Sequence, residues 1–309
     1  MLVSKEKMSS LVEVASNSKE VEGRSLWQDA WERFQRNKAA VVSVFVLTLM
    51  VIWSFVGPAL SPWSYEEIDW NVIGNAATDG FPSIASGHYF GTDDLGRDIY
   101  ARTLQGTQIS LLVGLVGTAV AVVIGVLYGA IAGYVGGRVD NYMMRFVDFL
   151  MSIPYMFILI ILFVMFGRSL WLLFAGLGAF AWMDMARIVR GQTLSIKNKE
   201  YIEASVASGV GSFTIIMRHV LPNLLGIVAV YTTLLIPGLI MTESFISFLG
   251  LGIQEPLTSW GALISDGAKT IQYGTPWQLL FPLGFFIVGL FCFYFIGDGL
   301  RDALDPKDR

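Results

Sequence analysis

Long stretches without Asp, Glu, Lys or Arg constrain the fold of this chain more than any other feature. Six such stretches occur, at residues 39–65, 103–137, 149–167, 169–183, 220–242 and 270–297. A helix needs roughly 20 apolar residues to cross the hydrocarbon core of a bilayer. The pattern therefore predicts an all-α integral membrane protein with six transmembrane helices, of which the fourth has the shortest run. Pro58 and Pro62 are expected to end the first transmembrane helix.

The composition supports the same class of protein. Hydrophobic residues make up 54% of the chain and charged residues only 15%, whereas soluble domains carry about 25% charged residues. Residues 1–38 lack the apolar core of a secretory signal, so the first apolar run is predicted to be a permanent span. Cys292 lies inside an apolar run, which predicts an inert thiol. No basic cluster is interleaved with aromatic residues, which argues against nucleic-acid binding.

The distribution of Lys and Arg predicts the orientation. Of the 21 basic residues, 17 lie in residues 1–38, beside Gly136, in 184–222 or in the tail. The other connections hold only Arg97, Arg102, Arg168 and Lys269. The positive-inside rule then places both termini in the cytoplasm. The predicted divisions are a tail and helix at 1–38, a first span at 39–60, an outer segment at 61–102, a core of five spans at 103–298 with an inner loop at 184–222 and an outer loop at 251–277, and a tail at 299–309.

A short amphipathic helix is predicted just before the first span. Ser25 and Gln28 fit a capping box, and Trp27, Trp31 and Phe34 share one face of the helix. Such a helix lies either in the membrane interface or against the protein's own loops. Residues 1–20 are polar and are expected to be loose.

Gly125, Gly129 and Gly133 recur at four-residue spacing within the second predicted span. Small residues at this spacing allow two helix backbones to approach closely in lipid. We therefore expect helix packing at these glycines, with a substrate path along them as the alternative.

The residues needed for enzyme chemistry are missing from the sequence. It contains no phosphate-binding loop of the G-x-x-x-x-G-K-[ST] type. His88 and His219 are the only histidines and are expected on opposite sides of the membrane, which argues against a metal site. Asp148, Asp184, Glu243 and Asp298 are expected near helix ends or breaks. Glu243 is the best candidate for gating, and otherwise is a hydrogen-bonded structural carboxylate.

Residues 201–223 interrupt the spans with a polar segment that reads "YIEASVASGVGSFTIIMRHVLPN". Glu203, Ala204 and Ala207 fall on one side of a short helix, which Gly209 and Gly211 are expected to stop. Pro222 then begins the fifth span at an allowed position. A short exposed helix of this kind can dock in a groove of another protein, and the alternative is a structural re-entrant loop.

The same segment resembles the signature of permease subunits of ATP-binding-cassette (ABC) importers. Glu203-Ala204-Ser205, Gly209 and Leu221-Pro222 occur at the family spacing, with Ser205 in place of the usual alanine and His219 in place of isoleucine. The form "RHVLPN" is similar to the branch that carries peptides and nickel. The resemblance implies that this segment is a coupling helix that contacts an ATP-hydrolysing subunit. The implied contact residues are Glu203, Ala204, Ser205, Gly209, Arg218, His219 and Pro222.

Further stretches extend the resemblance over most of the chain. They are residues 88–102, 185–205, 243–267 and 295–309, together with "EVEGRSLWQDA" near the N-terminus. Within the branch, they resemble most closely the C-type permease subunits of oligopeptide importers. The resemblance implies a bacterial inner-membrane protein whose partners are a homologous second permease, two ATP-binding subunits and a periplasmic peptide-binding protein. ATP and Mg would be bound by those partners, and this chain would hold no cofactor and no catalytic residue.

The outer stretch "FGTDDLGRD" allows two interpretations. Its Asp93, Asp94, Arg97 and Asp98 could form an ordered turn by internal pairing. By resemblance, they would face the binding protein and the partner permease, in docking or gating. The carboxylates lack the spacing of a calcium loop.

Three classes of function remain open from the sequence alone. An ATP-driven permease for oligopeptides is favoured, and dipeptides, murein peptides or nickel chelates would suit the same branch. A secondary carrier or channel would work without ATPase partners and is expected to show repeat symmetry with broken helices. A scaffold that anchors other proteins is the third class.

Overall fold

The computed structural model describes residues 26–304. Within this range the regular structure is helical, and extended pairing is limited to two isolated bridges, Ile68 with Arg97 and Thr92 with Asp98. The predicted all-α class is confirmed. The capping-box residue Ser25, residues 1–20 and residues 305–309 lie outside the described range.

Most of the helices follow one another with short connections, and the longer non-helical stretches are residues 61–75, 80–98 and 249–259. The helices are α1 (Leu26–Arg36), α2 (Lys38–Val56), α3 (Ala76–Asp79), α4 (Ile99–Val135), α5 (Gly137–Met151), α6 (Tyr155–Phe166), α7 (Leu170–Lys197), α8 (Glu200–Ala207), α9 (Ser212–Ile215), α10 (Leu221–Phe248), α11 (Trp260–Thr270) and α12 (Trp277–Leu304). A 3₁₀ turn at Gly57–Leu60 extends α2, and a π-helical turn at Ile216–Val220 joins α9 to α10. The end of the first span at Pro58 agrees with the prediction.

Five helical segments are long and apolar enough to cross a membrane. They are Lys38–Leu60, Ile99–Val135, Leu170–Lys197, Ser212–Phe248 and Trp277–Leu304. Helices α5 and α6 pass the same test only as a pair, and they are bent by 69° at a short break. The predicted third span is therefore divided between two helices rather than being one straight helix.

Helices α4 and α7 run parallel and pack closely along the three spaced glycines. A Cβ atom on Gly125 would lie 2.6 Å from the Trp182 carbonyl oxygen, and one on Gly129 would overlap that of Ala186. Further along, a Cβ atom on Gly133 would lie 2.7 Å from Thr193 Cβ. Any larger residue would push the backbones apart, so the helix-packing interpretation of these glycines is confirmed.

The parallel arrangement of α4 and α7 requires the chain between them to return from one end of the bundle to the other. The bent pair α5 and α6 makes this return, because its two helices contact opposite ends of α7. Arg190 pairs with Asp140 near the start of α5, and Leu159 in α6 packs against Gly176 near the start of α7. The geometry thus favours six crossings, with the bent pair counted as one.

Both ends of the described chain lie at the same end of the bundle. Gly299 lies against Ala40, and Gly226 lies near Leu304. We call this the loop end, because it also holds residues 200–222. The opposite end holds residues 61–98 and the residues between α10 and α12. We call it the network end, because a network of polar side chains lies there.

Several boundaries differ from the sequence prediction. Helix α7 continues to Lys197, so residues 184–197 are helical and do not belong to a loop. Likewise, Trp260–Thr270 forms a helix with buried residues inside the predicted outer loop 251–277. Hydropathy detects only the part of a helix that lies in lipid, so polar extensions and helices shorter than a span escape it.

Helix α1 packs its Ala30 side inward and leaves Trp31 61% exposed. Trp31 stacks on Phe34 with a ring separation of 6.1 Å, and the Phe34 ring lies next to Gly299 of α12. The predicted amphipathic helix is therefore present and rests on the end of α12. The Trp27 side chain lies outside the described set.

Candidate functional site

Helix α8 is a short exposed helix with a well-defined end. The Gly209 amide donates to the Val206 carbonyl at 2.9 Å, and the Val210 amide donates to that of Ser205 at 3.1 Å. Gly209 has a φ of +79°, which glycine adopts at little cost. These bonds form a Schellman cap. The prediction that glycine stops this helix is confirmed.

The inner face of the α8 segment is anchored in the bundle. Ile202 is only 2% exposed and belongs to an apolar cluster with Ile215, Ile216 and Val220. Val189 of α7 and Leu224 of α10 belong to the same cluster. A force on α8 would therefore be carried directly to two membrane helices, because close-packed interiors deform little.

The outer face of this segment combines polar and apolar groups. Glu203 and Ala204 are exposed, Val206 is 55% exposed and Phe213 is 76% exposed. Exposed aromatic groups on a membrane protein's loop are typical of surfaces that bind another protein.

The residues predicted to contact an ATPase fall into two groups. Glu203, Ala204, Ser205 and Gly209 lie on or just after α8, where Ser205 is half-buried and donates its hydroxyl to the Tyr201 carbonyl at 2.8 Å. Arg218, His219 and Pro222 lie in the π-helical turn and at the start of α10, and His219 is half-buried. Their contact with a partner remains a prediction.

A second cluster of polar residues occupies the network end. Asp93 accepts backbone hydrogen bonds from Leu95 and Arg97, both at 2.9 Å, and accepts Arg97 Nε at 2.7 Å. Arg97 Nη1 donates to Glu255 Oε1 at 2.6 Å. Arg102 lies close by, with its Nε 3.7 Å from Asp93. This cluster joins the segment before α4 to the loop before α11.

Asp98 begins α4 and also binds the buried His88. Its Oδ2 accepts the Ala101 amide at 2.7 Å, which makes Asp98 the N-cap of α4. Its Oδ1 lies 2.9 Å from His88 Nδ1, and His88 Nε2 lies 3.5 Å from Asp69 Oδ2. Trp63 stacks on the His88 ring at 4.6 Å.

Charges in this region shift the pKa values of its members in opposite directions. Burial opposes the charged form of His88, but hydrogen bonds and charge from Asp98 and Asp69 outweigh it and raise its pKa. Burial also opposes charge on Asp69, yet its hydrogen bonds with Asn71 and His88 lower its pKa. The hydrogen bond from Arg97 lowers the pKa of Glu255.

Asp94 takes part in a neighbouring contact. Gln278 Nε2 donates to Asp94 Oδ1 at 3.1 Å and to the Thr92 carbonyl at 3.0 Å. The four candidate residues at 93, 94, 97 and 98 therefore all have hydrogen-bond partners within the chain, as the ordered-turn interpretation expects. A role in docking or gating is a separate prediction, for which the exposed Asp94 and the 60% exposed Glu255 side chain offer contact points.

Glu243 is fully buried among serine hydroxyl groups. Ser247 donates to its Oε1 at 2.7 Å, and Ser110 and Ser244 donate to its Oε2 at 3.2 and 3.3 Å. The Ser110 Oγ also accepts the Trp260 amide at 3.2 Å. The expected position at the end of the fifth span is wrong, because α10 continues to Phe248. Glu243 instead connects α4, α10 and α11 inside the bundle.

Several residues of these sites could not be found from the sequence. Glu255 meets Arg97 across 158 positions, and no local motif marks such a contact. His88 is surrounded by turn-forming residues that give no sign of burial. Asp184, expected near a helix end, lies in the middle of the 28-residue α7.

Comparison with known proteins gives matches along the whole chain. Residues 125–309 match a family described as "binding-protein-dependent transport system inner membrane component", and residues 25–77 match the "N-terminal TM domain of oligopeptide transport permease C". The chain belongs to this family of binding-protein-dependent transport permeases. It is thus a multi-pass membrane transport subunit.

Individual relatives agree with this membership. The oligopeptide transport system permease protein OppC of Escherichia coli K12 is 54% identical over 309 residues, which covers 100% of both chains. OppC of Haemophilus influenzae is 53% identical over 94% of this chain and 91% of its own. The dipeptide transport system permease protein DppC of Bacillus subtilis is 45% identical over 92% of this chain and 87% of its own. The resemblance to C-type permeases of oligopeptide importers is confirmed.

Proposed function

We propose that this chain is the C-type permease subunit of an ATP-driven ABC importer that carries oligopeptides. It forms half of a translocation pathway together with a homologous second permease. The observation that carries this proposal is the 54% identity to an oligopeptide permease over the full length of both chains. Full coverage of both chains supports an equivalent place in an equivalent assembly.

The exposed segment 200–222 is the surface on which we place an ATPase subunit. Its inner face is fixed by Ile202 and its outer face presents Glu203, Val206 and Phe213. Two ATP-binding subunits would serve the two permeases, and they would bind ATP and Mg. Closure of the ATPases would move α8, and its attachment to α7 and α10 would carry that movement into the membrane.

The orientation follows from the charge bias. Most of the basic residues within 26–304 lie at the loop end, so the positive-inside rule supports a cytoplasmic position for it and for both termini in a bacterial inner membrane. The network end would then face the periplasm, where a peptide-binding protein delivers its cargo. Asp94 and Glu255 are exposed there and available for that contact.

Uptake of labelled peptides by cells with and without this chain tests the proposal. Loss of pentapeptide uptake on deletion, with restoration by the plasmid-borne chain, is the expected result. The similarity to a dipeptide permease makes dipeptides the second candidate cargo, and loss of dipeptide uptake alone would favour it. Unchanged uptake of both peptides would contradict a peptide importer and direct the search to nickel chelates.

A further inference from the structure

Asp184 is a charged residue at the midpoint of a membrane-spanning helix. Helix α7 runs over 28 residues, from Leu170 to Lys197. At 1.5 Å per residue, Asp184 lies about 20 Å from either end of this helix, which is longer than the roughly 30 Å thickness of a hydrocarbon core. Its neighbours Met183 and Met185 are buried, whereas Asp184 is exposed on the face that points away from α4.

The carboxylate of Asp184 faces a cavity of about 300 Å³. The break between α5 and α6, helix α7 and helix α10 form its walls, which include Ile153, Phe180 and Leu239. Asp184 is the only charged residue in the lining, where the other polar side chains are Tyr155 and Thr242. A cavity of this size falls at the lower end of the range for small-ligand sites, and mostly apolar walls with few polar groups are typical of such sites.

The basic residues one and two turns further along α7 already have partners. Arg187 pairs with Asp148, and Arg190 holds Asp140 with two hydrogen bonds of 2.6 Å. Within residues 26–304, no side chain forms an ion pair or a hydrogen bond with the Asp184 carboxylate. The two arginines and their aspartate partners neutralise each other. The negative charge of Asp184 in the cavity has no such partner in the described part of the chain.

An unpaired carboxylate among mostly apolar walls is costly unless water or a cation reaches it. A peptide in transit supplies such a cation, because an unblocked peptide carries an α-ammonium group at neutral pH. The apolar walls could accept varied side chains, while the single carboxylate would hold the cationic group that all such cargo shares. A charge-assisted hydrogen bond between the two groups is stronger than a neutral one.

We propose that Asp184 is a binding residue of the translocation pathway that receives the cationic α-ammonium group of a peptide in transit. This inference rests on the proposed function as a peptide importer, and adds the chemical group by which the pathway holds its cargo. A basic residue of the partner permease is the competing occupant, which the experiment must separate from the peptide.

Chemical rescue of a cysteine variant tests the charge directly. Asp184→Cys is combined with Cys292→Ala, which removes the buried native thiol, and the assembled transporter is reconstituted with its binding protein and ATP. We expect pentapeptide uptake to fall about tenfold, as for the loss of one charged contact. A negatively charged methanethiosulfonate reagent should restore uptake, and a positively charged one should not. The Cys292→Ala complex with Asp184 intact is the matched control for reagent effects elsewhere.

Two further measurements show whether Asp184 binds the peptide or pairs with a basic residue of the partner permease. Excess pentapeptide under turnover should slow the modification of the thiol introduced by Asp184→Cys, and the unmodified variant should assemble and melt like the control complex. Loss of assembly, failure of the reagents to reach the introduced thiol, or equal rescue by both charges would overturn the proposal. Peptide uptake by the control complex tests the proposed function separately, so the failure of one inference can be told from the failure of the other.

Discussion

Arg97 and Glu255 form a 2.6 Å ion pair that joins the segment before α4 to the loop before α11. Arg97 is largely buried, with its side chain 10% exposed, whereas the Glu255 side chain is 60% exposed. The two partners therefore differ in what their removal leaves behind. Loss of Glu255 leaves Arg97 paired with Asp93, and loss of Arg97 leaves Asp93, whose side chain is only 13% exposed, without its main cation.

We expect Arg97→Ala to destabilise the complex more than Glu255→Gln. An exposed partner contributes about 0–1 kcal/mol, whereas breaking a buried pair costs roughly 3–5 kcal/mol. Thermal melting of the detergent-solubilised transporter measures the order. Lys269→Ala is the control, because its pair with Asp266 is exposed on both sides. Equal melting of all three variants would show that this network adds nothing to stability.

The contacts of His88 with Asp98 and Asp69 predict that the stability of the network end depends on pH. His88 has a folded-state pKa above its ordinary value of 6.5, so its contribution to stability is full below that value and is lost as the pH rises through the folded pKa. Asp69 has a pKa below 3.8, so its contribution is present above that value and is lost in stronger acid. We expect wild-type protein to lose stability as the pH rises above 6.5 and through the raised pKa of His88.

The variant His88→Gln provides the comparison for that pH dependence. It keeps a hydrogen-bonding side chain but cannot change charge. A plot of its melting temperature against pH should therefore be flatter over the same pH range. Parallel curves for wild type and variant would mean that another group causes the change.

Close packing between α4 and α7 predicts that Gly129 tolerates no side chain. The Cβ atom of Gly129→Ala would overlap the backbone oxygen of Ala186, and overpacking of this kind costs about 1–3 kcal/mol. Gly191→Ala on α7 is the matched control, because a Cβ atom there meets nothing within 4 Å. Melting of both variants should show a loss for the first and little change for the second. The reverse order would contradict the packing of these two helices.

The serine-lined site of Glu243 separates a structural role from gating. Glu243→Leu should destabilise the bundle by leaving three hydroxyl groups without their acceptor, at about 1–3 kcal/mol for each unsatisfied group. Glu243→Gln retains one acceptor oxygen and the shape of the side chain. If the role is structural, the glutamine variant should transport peptide normally once it is folded. Normal melting with lost transport would instead assign Glu243 to gating.

The sequence predicts five of the spans as long apolar helices, because apolar runs mark the parts of a chain that contact lipid, but it does not reveal that the predicted third span is a bent pair of helices. It also predicts the packing of Gly125, Gly129 and Gly133, since close approach leaves only glycine at those positions. Other features depend on contacts across long separations. The polar half of α7 beyond Asp184 has no hydropathy signal, and Trp260–Thr270 is too short to be recognised as buried by its apolar content.

Some parts of the candidate sites are likewise marked by local sequence signals, and others depend on contacts between distant residues. Gly209 and Pro222 mark the ends of helices by local backbone rules, so the boundaries of segment 200–222 are visible in the sequence. Arg97 with Glu255, and Glu243 with Ser110, are brought together only by the packing of distant helices. The sequence predicts Asp184 near a helix end, and only the position of the surrounding walls identifies its cavity.

Helix α8 is proposed to couple ATP hydrolysis to peptide movement. Two substitutions in the α8 segment alter different properties of it. Glu203→Lys reverses a charge on the exposed face without touching the buried Ile202. Gly209→Asp places a side chain at a φ of +79°, which strains an L-residue by roughly 1–2 kcal/mol and disturbs the cap. Both proteins should insert in the membrane normally.

The most direct measurement is the number of pentapeptides imported per ATP hydrolysed by the reconstituted transporter, with wild-type chain and with Glu203→Lys. Tyr273→Ser serves as the control, because Tyr273 is an exposed aromatic residue outside the α8 segment. We predict that the Glu203→Lys ratio falls at least about tenfold, as for loss of an interface contact of about 1.4 kcal/mol or more, while the control keeps the wild-type ratio. An unchanged ratio for a normally inserted Glu203→Lys protein would contradict the assignment of α8 as the coupling helix.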